Sequence, residues 1–340
     1  MKVRRYMNKD TEKMKGVKNM KKVIKLIGKV LLGFVILLIM FLVITSVWHY
    51  IMSKKDRESF LNAYGEYYTT ENGDKMNYTL YDSSSDKVAV LLPGFACGSV
   101  HYTYDSLAKE LNDKYKVVIV EPLGYGLSDQ TDTERTVENY CKELHGLMNY
   151  LGYDKYTLIG HSMSGIYMTY YSNEYTSEVE AVIGIDEYVP QMRDIKDSSP
   201  ETQQTVWKIS RCYIFLGLDR LMPTYDRESA KEKIPTLTDE EADLFVAMDK
   251  TIPTNKTQMS EIGLMPENVD KCYDMKIPEN IPVLQVLSKE NCEMYPEYTK
   301  IHEDITANSQ SRTVAIDGGH CLYFDNLDGL VNEIKNWEHE

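Results

Sequence analysis

Residues 156–165 read Tyr-Thr-Leu-Ile-Gly-His-Ser-Met-Ser-Gly, a short apolar stretch that ends in a small-x-Ser-x-small pattern. The pattern predicts a strand that turns sharply into a helix beginning near Gly165, with one serine hydroxyl lifted out of the turn. Such a turn leaves no room for bulky side chains two positions before and after the serine, where Gly160 and Ser164 stand. The candidate nucleophile is therefore Ser162. Taken alone, the pentapeptide also fits a Gly/Ser loop with a buried or capping serine.

A histidine near the C-terminus supports the first interpretation. Residues 312–316 predict a strand, and Asp-Gly-Gly-His follows at 317–320. His320 comes after the serine in chain order and sits on flexible glycines, as a general base that reaches across a site requires. A surface or structural histidine is the alternative.

Two further apolar strands end in glycine-rich turns. Residues 88–96 run into Pro93-Gly94, where the backbone N–H of Phe95 is predicted to pair with that of Met163 in an oxyanion hole. An ordinary turn at the end of a strand is the alternative there. Residues 117–129 form another buried strand, followed by Gly-Tyr-Gly-Leu-Ser at 124–128.

With these motifs the chain resembles the α/β-hydrolase superfamily. Its members carry a Gly-x-Gly-x-Ser loop after this strand, a Gly-x-Ser-x-Gly elbow and a late Gly-His, in the order found here. The resemblance covers roughly residues 64–340. It implies an α/β fold with a mostly parallel eight-stranded sheet, helices on both faces and a helical cap.

The sequence departs from the family pattern at two positions that carry no catalytic group. Pro93-Gly94 replaces the usual His-Gly, and the elbow ends in Ser164 rather than glycine. A serine still fits the crowded elbow position, and the oxyanion donor is a backbone amide whose neighbour can vary.

The acid partner of the histidine is open at this stage. Most family members place an aspartate after the seventh strand, where this chain has Asn291, and an amide cannot stabilise an imidazolium as a carboxylate does. Glu290 precedes it by one residue. Some relatives place the acid after the sixth strand, where Asp186 ends an apolar run. We favour Asp186, with Glu290 as the alternative acid and Glu187 third.

These residues predict a serine hydrolase that acts on a carboxylic ester, with an amide or peptide bond as alternatives and without a cofactor or metal. The same groups could serve an acyltransferase or a cofactor-free lyase. A non-catalytic binding module is the third class, because fold does not fix function. We expect a small-molecule acyl substrate, with a lipid among the candidates, and leave the oligomeric state open.

The N-terminus predicts a membrane anchor. Residues 2–29 contain eleven Lys or Arg and two acidic residues, and residues 30–48 are uncharged. Nineteen helical residues span about 29 Å, close to the hydrocarbon thickness of a bilayer, and Trp48 and Tyr50 suit the interfacial belt. One transmembrane helix with its basic end in the cytoplasm places the catalytic domain outside the cytoplasm. A cleaved signal peptide is disfavoured, since the apolar run is long and no Ala-x-Ala-like site follows it.

Charge separates along the chain in the same way. The net charge is −14, and removing the nine net positive charges of residues 1–29 leaves −23 for the remainder. An acidic domain argues against a nucleic-acid partner, because no extended basic face is available to neutralise phosphates.

Six scattered cysteines lack any Cys-x-x-Cys or metal-like cluster, so no zinc site is predicted. A disulfide between Cys272 and Cys292 is conceivable, but most of the cysteines are expected to be small buried hydrophobes. Cys97 and Cys321 neighbour the oxyanion and histidine loops and are candidates for the pocket wall. A cysteine nucleophile is disfavoured, because neither occupies an elbow.

Strands that alternate with amphipathic helices predict a parallel sheet covered on both faces, with the site at the carboxyl ends of the strands. Asn-Gly at 72–73 predicts a hairpin between residues 66–70 and 75–81. The predicted division is a basic cytoplasmic segment at 1–29, a transmembrane helix at 30–52, a linker at 53–63, a hydrolase core at 64–189 and 280–340, and a helical cap at 190–279. Five large cap side chains are available for the pocket roof or for the cap's own core: Trp207, Tyr213, Phe215, Phe245 and Met248.

Overall fold

The strands pair into one sheet at the centre of the molecule, whose computed structural model describes residues 2–222 and 224–338. The strands are β1 (Glu66–Thr69), β2 (Lys75–Tyr81), β3 (Val88–Leu92), β4 (Lys116–Glu121), β5 (Tyr156–His161), β6 (Val179–Ile185), β7 (Val283–Ser288) and β8 (Arg312–Ile316). Within the described residues they form eight neighbours in the order β1-β2-β4-β3-β5-β6-β7-β8. The β1–β2 and β2–β4 pairs are antiparallel and all others are parallel. The predicted mostly parallel sheet and the predicted hairpin are confirmed.

Helices follow most strands. They are α1 (Lys2–Phe60), α2 (Val100–Leu111), α3 (Val137–Leu151), α4 (Ser164–Glu174), α5 (Pro200–Phe215), α6 (Arg227–Lys233), α7 (Asp239–Asp249), α8 (Lys256–Gly263), α9 (Met265–Cys272), α10 (Lys289–Met294), α11 (Tyr298–Glu303), α12 (Leu322–Asp325) and α13 (Leu327–Asn336). Helices α5 to α9 lie between β6 and β7, which is the helical insertion that the sequence predicts.

The central strands are buried because helices cover both faces of the sheet. Along β3, Ala89 and Leu91 pack on one face, and Val88, Val90 and Leu92 pack on the other. This alternation follows from the two-residue period of a strand. The continuous apolar runs in the sequence are therefore strands that pack on both sides.

Capping side chains fix the starts of two helices. Helix α2 begins at Val100, where the side chain of Ser99 accepts a hydrogen bond from the Tyr102 N–H and caps the helix. Asn326 ends α12 and caps α13 by accepting a hydrogen bond from the Gly329 N–H.

The predicted linker at 53–63 is largely helical. Helix α1 continues without a break to Phe60, which is buried against Tyr102, Phe245 and Met248. Its last turns pack on α7. Apart from Phe60, this segment has the polar composition of a solvated linker. The burial of that one apolar side chain is the physical reason why the helix continues to the domain. One span within this helix, residues 18–60, is long and apolar enough to cross a membrane.

Candidate active site

The turn between β5 and α4 holds Ser162 in a strained conformation. Its φ is +51°, a left-handed value that non-glycine residues rarely adopt. The carbonyl of Ser162 accepts hydrogen bonds from the N–H groups of Gly165 and Tyr188, at 3.0 and 2.7 Å. These bonds fix the turn and leave the side chain facing a cavity that Ser162 lines.

The predicted steric crowding of the elbow is present. A Cβ added at Gly160 would lie 2.6 Å from the end of the Met168 side chain and 2.9 Å from the Cβ of Ser164. Ser164 itself is fully buried, and its hydroxyl donates to the carbonyl of Pro93 at 2.5 Å. The serine in place of the usual glycine therefore ties the elbow to the loop after β3.

His320 and Asp186 form a hydrogen-bonded pair at the carboxyl ends of β8 and β6. The Nδ1 atom of His320 lies 2.7 Å from Oδ2 of Asp186. The aspartate is fully buried, whereas 46% of the histidine side chain is exposed. Gly318, with φ +139°, adopts a conformation that glycine tolerates and lets the loop bring the imidazole over the strand ends.

The carboxylate of Asp186 is held by several donors. Oδ1 accepts from the Ser288 N–H at 2.7 Å and from the Tyr298 hydroxyl at 3.1 Å, and Oδ2 accepts from the Asn291 amide at 2.6 Å. Burial raises the pKa of Asp186, but the hydrogen bond and charge of His320 and the bond from Ser288 outweigh it, so the net pKa lies below the ordinary value. The group is ionised at neutral pH and suited to stabilise an imidazolium.

Asp186, rather than Glu290, is thus the carboxylate that meets the histidine. Glu290 is exposed on α10, with its carboxylate beside the backbone of Gly319. Glu187, the third candidate, is buried and accepts from the Gln285 amide at 2.6 Å. Burial raises the pKa of Glu187 to about 7, and the bond from Gln285 offsets only part of that rise.

Both predicted oxyanion donors line the cavity. Phe95 follows Gly94 after β3, and Met163 follows Ser162 in the elbow. Within the described residues, neither backbone N–H donates to another group of the protein. Gly94 has to be small, because a Cβ there would lie 2.6 Å from the His161 ring and 3.0 Å from the Ser162 Cβ.

Sequence reasoning missed three residues that position this site. Asn291 and Tyr298 hold Asp186, as described above. His161 Nε2 lies 2.9 Å from the carbonyl oxygen of His320, and burial lowers the pKa of His161 to about 3, so a neutral Nε2–H donates to the histidine loop. His161 could have been found from the sequence, because it stands directly before Ser162 on a buried strand. No sequence pattern marks Tyr298 as part of the site.

A cavity of about 460 Å³ joins the reactive groups to the cap. This volume is within the usual range for a small-molecule site. The apolar part of the wall includes Phe95, Met192, Trp207, Phe245, Ile262 and Met265. Of the five cap side chains predicted for the pocket roof or for the cap's own core, Trp207 and Phe245 line the cavity, Met248 is buried in the cap's packing with α1, and Tyr213 and Phe215 are exposed.

The cysteines contribute surface rather than chemistry. Cys97 and Cys321 line the cavity as predicted, and burial raises the pKa of Cys97 to about 12, which keeps its thiol neutral. All six cysteines lie in described segments and are free, so the disulfide considered between Cys272 and Cys292 is not formed. Throughout residues 2–222 and 224–338, no group of three or more His, Cys, Asp or Glu side chains is placed to hold a metal ion.

Comparisons with known proteins agree with this architecture. The family model for the alpha/beta hydrolase fold matches residues 88–208. The YbdG protein of Bacillus subtilis, described as uncharacterized, is 23% identical over 278 residues, which is 76% of this chain and 81% of that protein. A serine hydrolase-like protein of Danio rerio is 21% identical over 277 residues, 76% of this chain and 83% of that protein. Among solved structures, a thermophilic esterase from Thermogutta terrifontis is 20% identical, covers 80% of this chain and 98% of its own, and gives a TM-score of 0.60.

Proposed function

The chain belongs to the α/β-hydrolase superfamily, and from that premise we propose that it is a membrane-anchored serine hydrolase. Its reaction is the cleavage of a carboxylic ester or a related acyl bond through an acyl-enzyme on Ser162. The named relatives support the reaction class, since one is called a serine hydrolase-like protein and another an esterase.

One observation carries the proposal. Ser162 stands at positive φ on the elbow, in the same cavity as the hydrogen-bonded pair of His320 and Asp186. Backbone strain at a non-glycine residue persists only where the surroundings enforce it, and it is concentrated at functional sites. A capping or buried serine would need neither the strain nor an imidazole on the wall of the same cavity.

The proposed chemistry follows from the direction of the hydrogen bonds. Because Nδ1 of His320 faces Asp186, Nε2 is the nitrogen that accepts the Ser162 proton as the serine oxygen attacks the carbonyl carbon. The Phe95 and Met163 N–H groups hold the negative oxygen of the tetrahedral intermediate. The imidazolium then protonates the leaving group, and water repeats the sequence to release the acid and regenerate the serine.

The proposed anchor is helix α1. Its uncharged run spans residues 30–48, and the basic residues lie before it, which by the positive-inside tendency keeps the N-terminus in the cytoplasm. The hydrolase domain then lies on the outer side of the cell membrane.

The direct test compares ester hydrolysis by the full chain and by Ser162→Ala in a mild detergent. With p-nitrophenyl acyl esters of increasing chain length, we expect Ser162→Ala to lower kcat by on the order of 10³-fold or more, because the nucleophile is removed. Ser177→Ala is the matched control, since it deletes an exposed hydroxyl just before β6, at the end of the sheet opposite the cavity, and is expected to keep the activity.

Full activity in Ser162→Ala would overturn the proposed nucleophile. If the acyl group passes mainly to an added alcohol such as glycerol rather than to water, the protein is an acyltransferase. Release of nitrophenol from no member of the series, with no reaction of a fluorophosphonate, would favour a binding module.

Orientation is tested separately by chemical labelling of intact cells. Asp154 is exposed directly before β5, at the end of the sheet opposite the cavity. We expect Asp154→Cys, in a Cys212→Ser chain, to react with a membrane-impermeant maleimide before lysis. Reaction only after lysis would place the domain in the cytoplasm.

A further inference from the structure

Helix α5 of the cap presents apolar side chains to solvent. We call the exposed apolar residues of α5 and of the segment that follows it the cap face, and each is between 42% and 79% exposed: Val206, Ile209, Tyr213, Phe215, Leu221 and Met222. Soluble proteins rarely expose so many large apolar side chains together, and such patches mark contact surfaces.

The other side of α5 belongs to the cavity. Gln203 and Trp207 line it, and the Trp207 ring packs edge-on against Phe95, with ring centres 4.8 Å apart. A single helix therefore separates the proposed oxyanion loop from the cap face.

The segment after α5 packs on helix α1, near the end of the uncharged run at residues 30–48. A Cβ on Gly217, two residues after α5, would lie 2.5 Å from the carbonyl oxygen of Thr45. Thr45 precedes Trp48, the last residue of the uncharged run, by three residues, or about 4.5 Å of helix rise. The segment after α5 is thus packed at the depth where the proposed span leaves the hydrocarbon.

A buried arginine makes this attachment specific. The side chain of Arg220 is 6% exposed and lies 2.8 Å from the Asp56 carboxylate. It also donates to Nδ1 of His49 at 3.1 Å and to the Ser53 hydroxyl at 2.9 Å. All three partners are on α1, so the cap cannot swing away from the anchor without breaking these bonds.

Charge on α5 suits a bilayer surface. The helix carries Lys208 and Arg211 against Glu201, whereas the chain beyond residue 29 carries a net −23. Basic residues beside exposed apolar side chains are typical of helices that lie in the membrane interface.

We propose that the cap face rests in the outer interface of the bilayer that α1 crosses, and that membrane-resident acyl lipids enter the cavity beside α5. This inference rests on the proposed anchor and on the proposed hydrolase activity, and it names the substrate class as a long-chain acyl ester taken from the membrane. The continuity of the cap face with the end of α1 selects the bilayer as the occupant rather than a second protein.

The first test uses the full chain in phosphatidylcholine nanodiscs and its own Cys212. This cysteine lies on α5 and is exposed, whereas the other five are buried or half-buried. A polarity-sensitive fluorophore on Cys212 is expected to shift to the blue and to be quenched by lipids with a nitroxide near the carbonyl region. The same fluorophore on Asp154→Cys, in a Cys212→Ser chain, is the control and should be quenched only from water. Quenching at Cys212 from water alone would overturn the proposal.

The second test distinguishes the entry of a membrane-embedded ester into the cavity from the hydrolysis step itself. We expect the double variant Ile209→Gln, Phe215→Gln to hydrolyse p-nitrophenyl palmitate embedded in the nanodisc at least 10-fold more slowly than the unaltered chain. Its kcat/KM on soluble p-nitrophenyl acetate should stay within 2-fold. Tyr150→Gln, which removes an exposed aromatic on α3, is the matched control and should change neither rate.

An equal loss on both esters, or none on the embedded one, would contradict the proposed route. If the unaltered chain cleaves neither ester, the proposed function fails, and quenching at Cys212 still decides whether the cap face lies in the bilayer.

Discussion

Two residues of the site carry backbone strain that a stable fold has to enforce. Ser162 and Asp186 have φ values of +51° and +45°, and each directly follows a buried parallel strand, β5 or β6. The adjacent strands end at the same edge of the sheet, so both strained turns face the histidine loop after β8. At this scale the site is a set of strand ends whose polar groups point away from the sheet.

The choice of acid gives a prediction at the residue scale. We expect Asp186→Asn to lower kcat on p-nitrophenyl acetate by about 10³- to 10⁴-fold, because the amide cannot stabilise the imidazolium and favours the wrong tautomer. Glu290→Gln should leave kcat within about 2-fold, since Glu290 is exposed and Asp186 is the partner of His320. A comparable loss in both variants would contradict this assignment.

Local sequence patterns predicted Ser162 and His320, and the structure places both on the wall of one cavity. The sequence favoured Asp186 but left Glu290 open, because that choice depends on which strand end reaches His320 across neighbouring strands. Asn291, which replaced the expected aspartate, turned out to donate to Asp186. That bond joins residues 105 positions apart in the sequence, beyond the reach of any local motif.

Buried Glu187 predicts a pH dependence of stability. Its pKa is about 7 in the folded chain, against about 4.3 for an unfolded glutamate. The folded state therefore binds the proton more tightly, so the contribution is fully present below about pH 4 and is lost as pH rises to about 7. The slope is at most about 1.4 kcal/mol per pH unit.

This dependence is measured by urea unfolding in mild detergent at pH 5 and pH 8. Glu187→Gln should lose less free energy of unfolding than the unaltered chain between those two values, because the amide does not titrate. An identical pH difference in both proteins would show that Glu187 ionises in the folded state as readily as in water.

At the scale of elements, the sequence predicted turns after the strands. It did not predict which groups those loops pack against. In the loop after β4, the buried carboxylate of Glu121 accepts from the Leu127 N–H at 2.7 Å and from the Val100 N–H at 3.1 Å. It thereby joins this loop to the start of α2. The Gly-x-Gly-x-Ser pattern predicted a glycine-rich turn there, while the glutamate that organises it gave no local signal.

Gly126 is the residue whose substitution should break this arrangement. Its φ is +48°, and an added Cβ would overlap the Glu121 carboxylate. We expect Gly126→Ala to lower the free energy of unfolding by about 3 kcal/mol or more, from strain and the displaced carboxylate together. Gly73→Ala is the control. Gly73 also has a positive φ, at +88°, but a Cβ added there would meet no atom within 4 Å. Equal losses in urea unfolding would mean that the contact with Glu121 costs nothing.

At the scale of the whole molecule, helix α1 and the α/β domain share a core. Sequence predicted a span followed by a polar linker, because residues 53–59 are mostly charged or polar. The structure instead continues α1 to Phe60, which fills a gap between α2 and the cap. A single apolar side chain in a polar segment is a weak signal, and its partners lie far away in sequence.

Phe60→Ala tests this shared core. The side chain is 2% exposed, so its removal should cost about 3 kcal/mol of unfolding free energy in detergent. Leu61→Ala, at a position that is 58% exposed, is the neighbouring control and should cost little. If the two variants unfold alike, α1 ends in solvent rather than in the domain.

The Ser162 hydroxyl is the proposed nucleophile, and the whole mechanism depends on it. Reaction of the full chain with a fluorophosphonate, followed by peptide mass mapping of the adduct, locates the nucleophile in one measurement. We expect a single adduct on Ser162, its loss in Ser162→Ala and its retention in Ser177→Ala. An adduct on another residue, or undiminished labelling of folded Ser162→Ala, would contradict it.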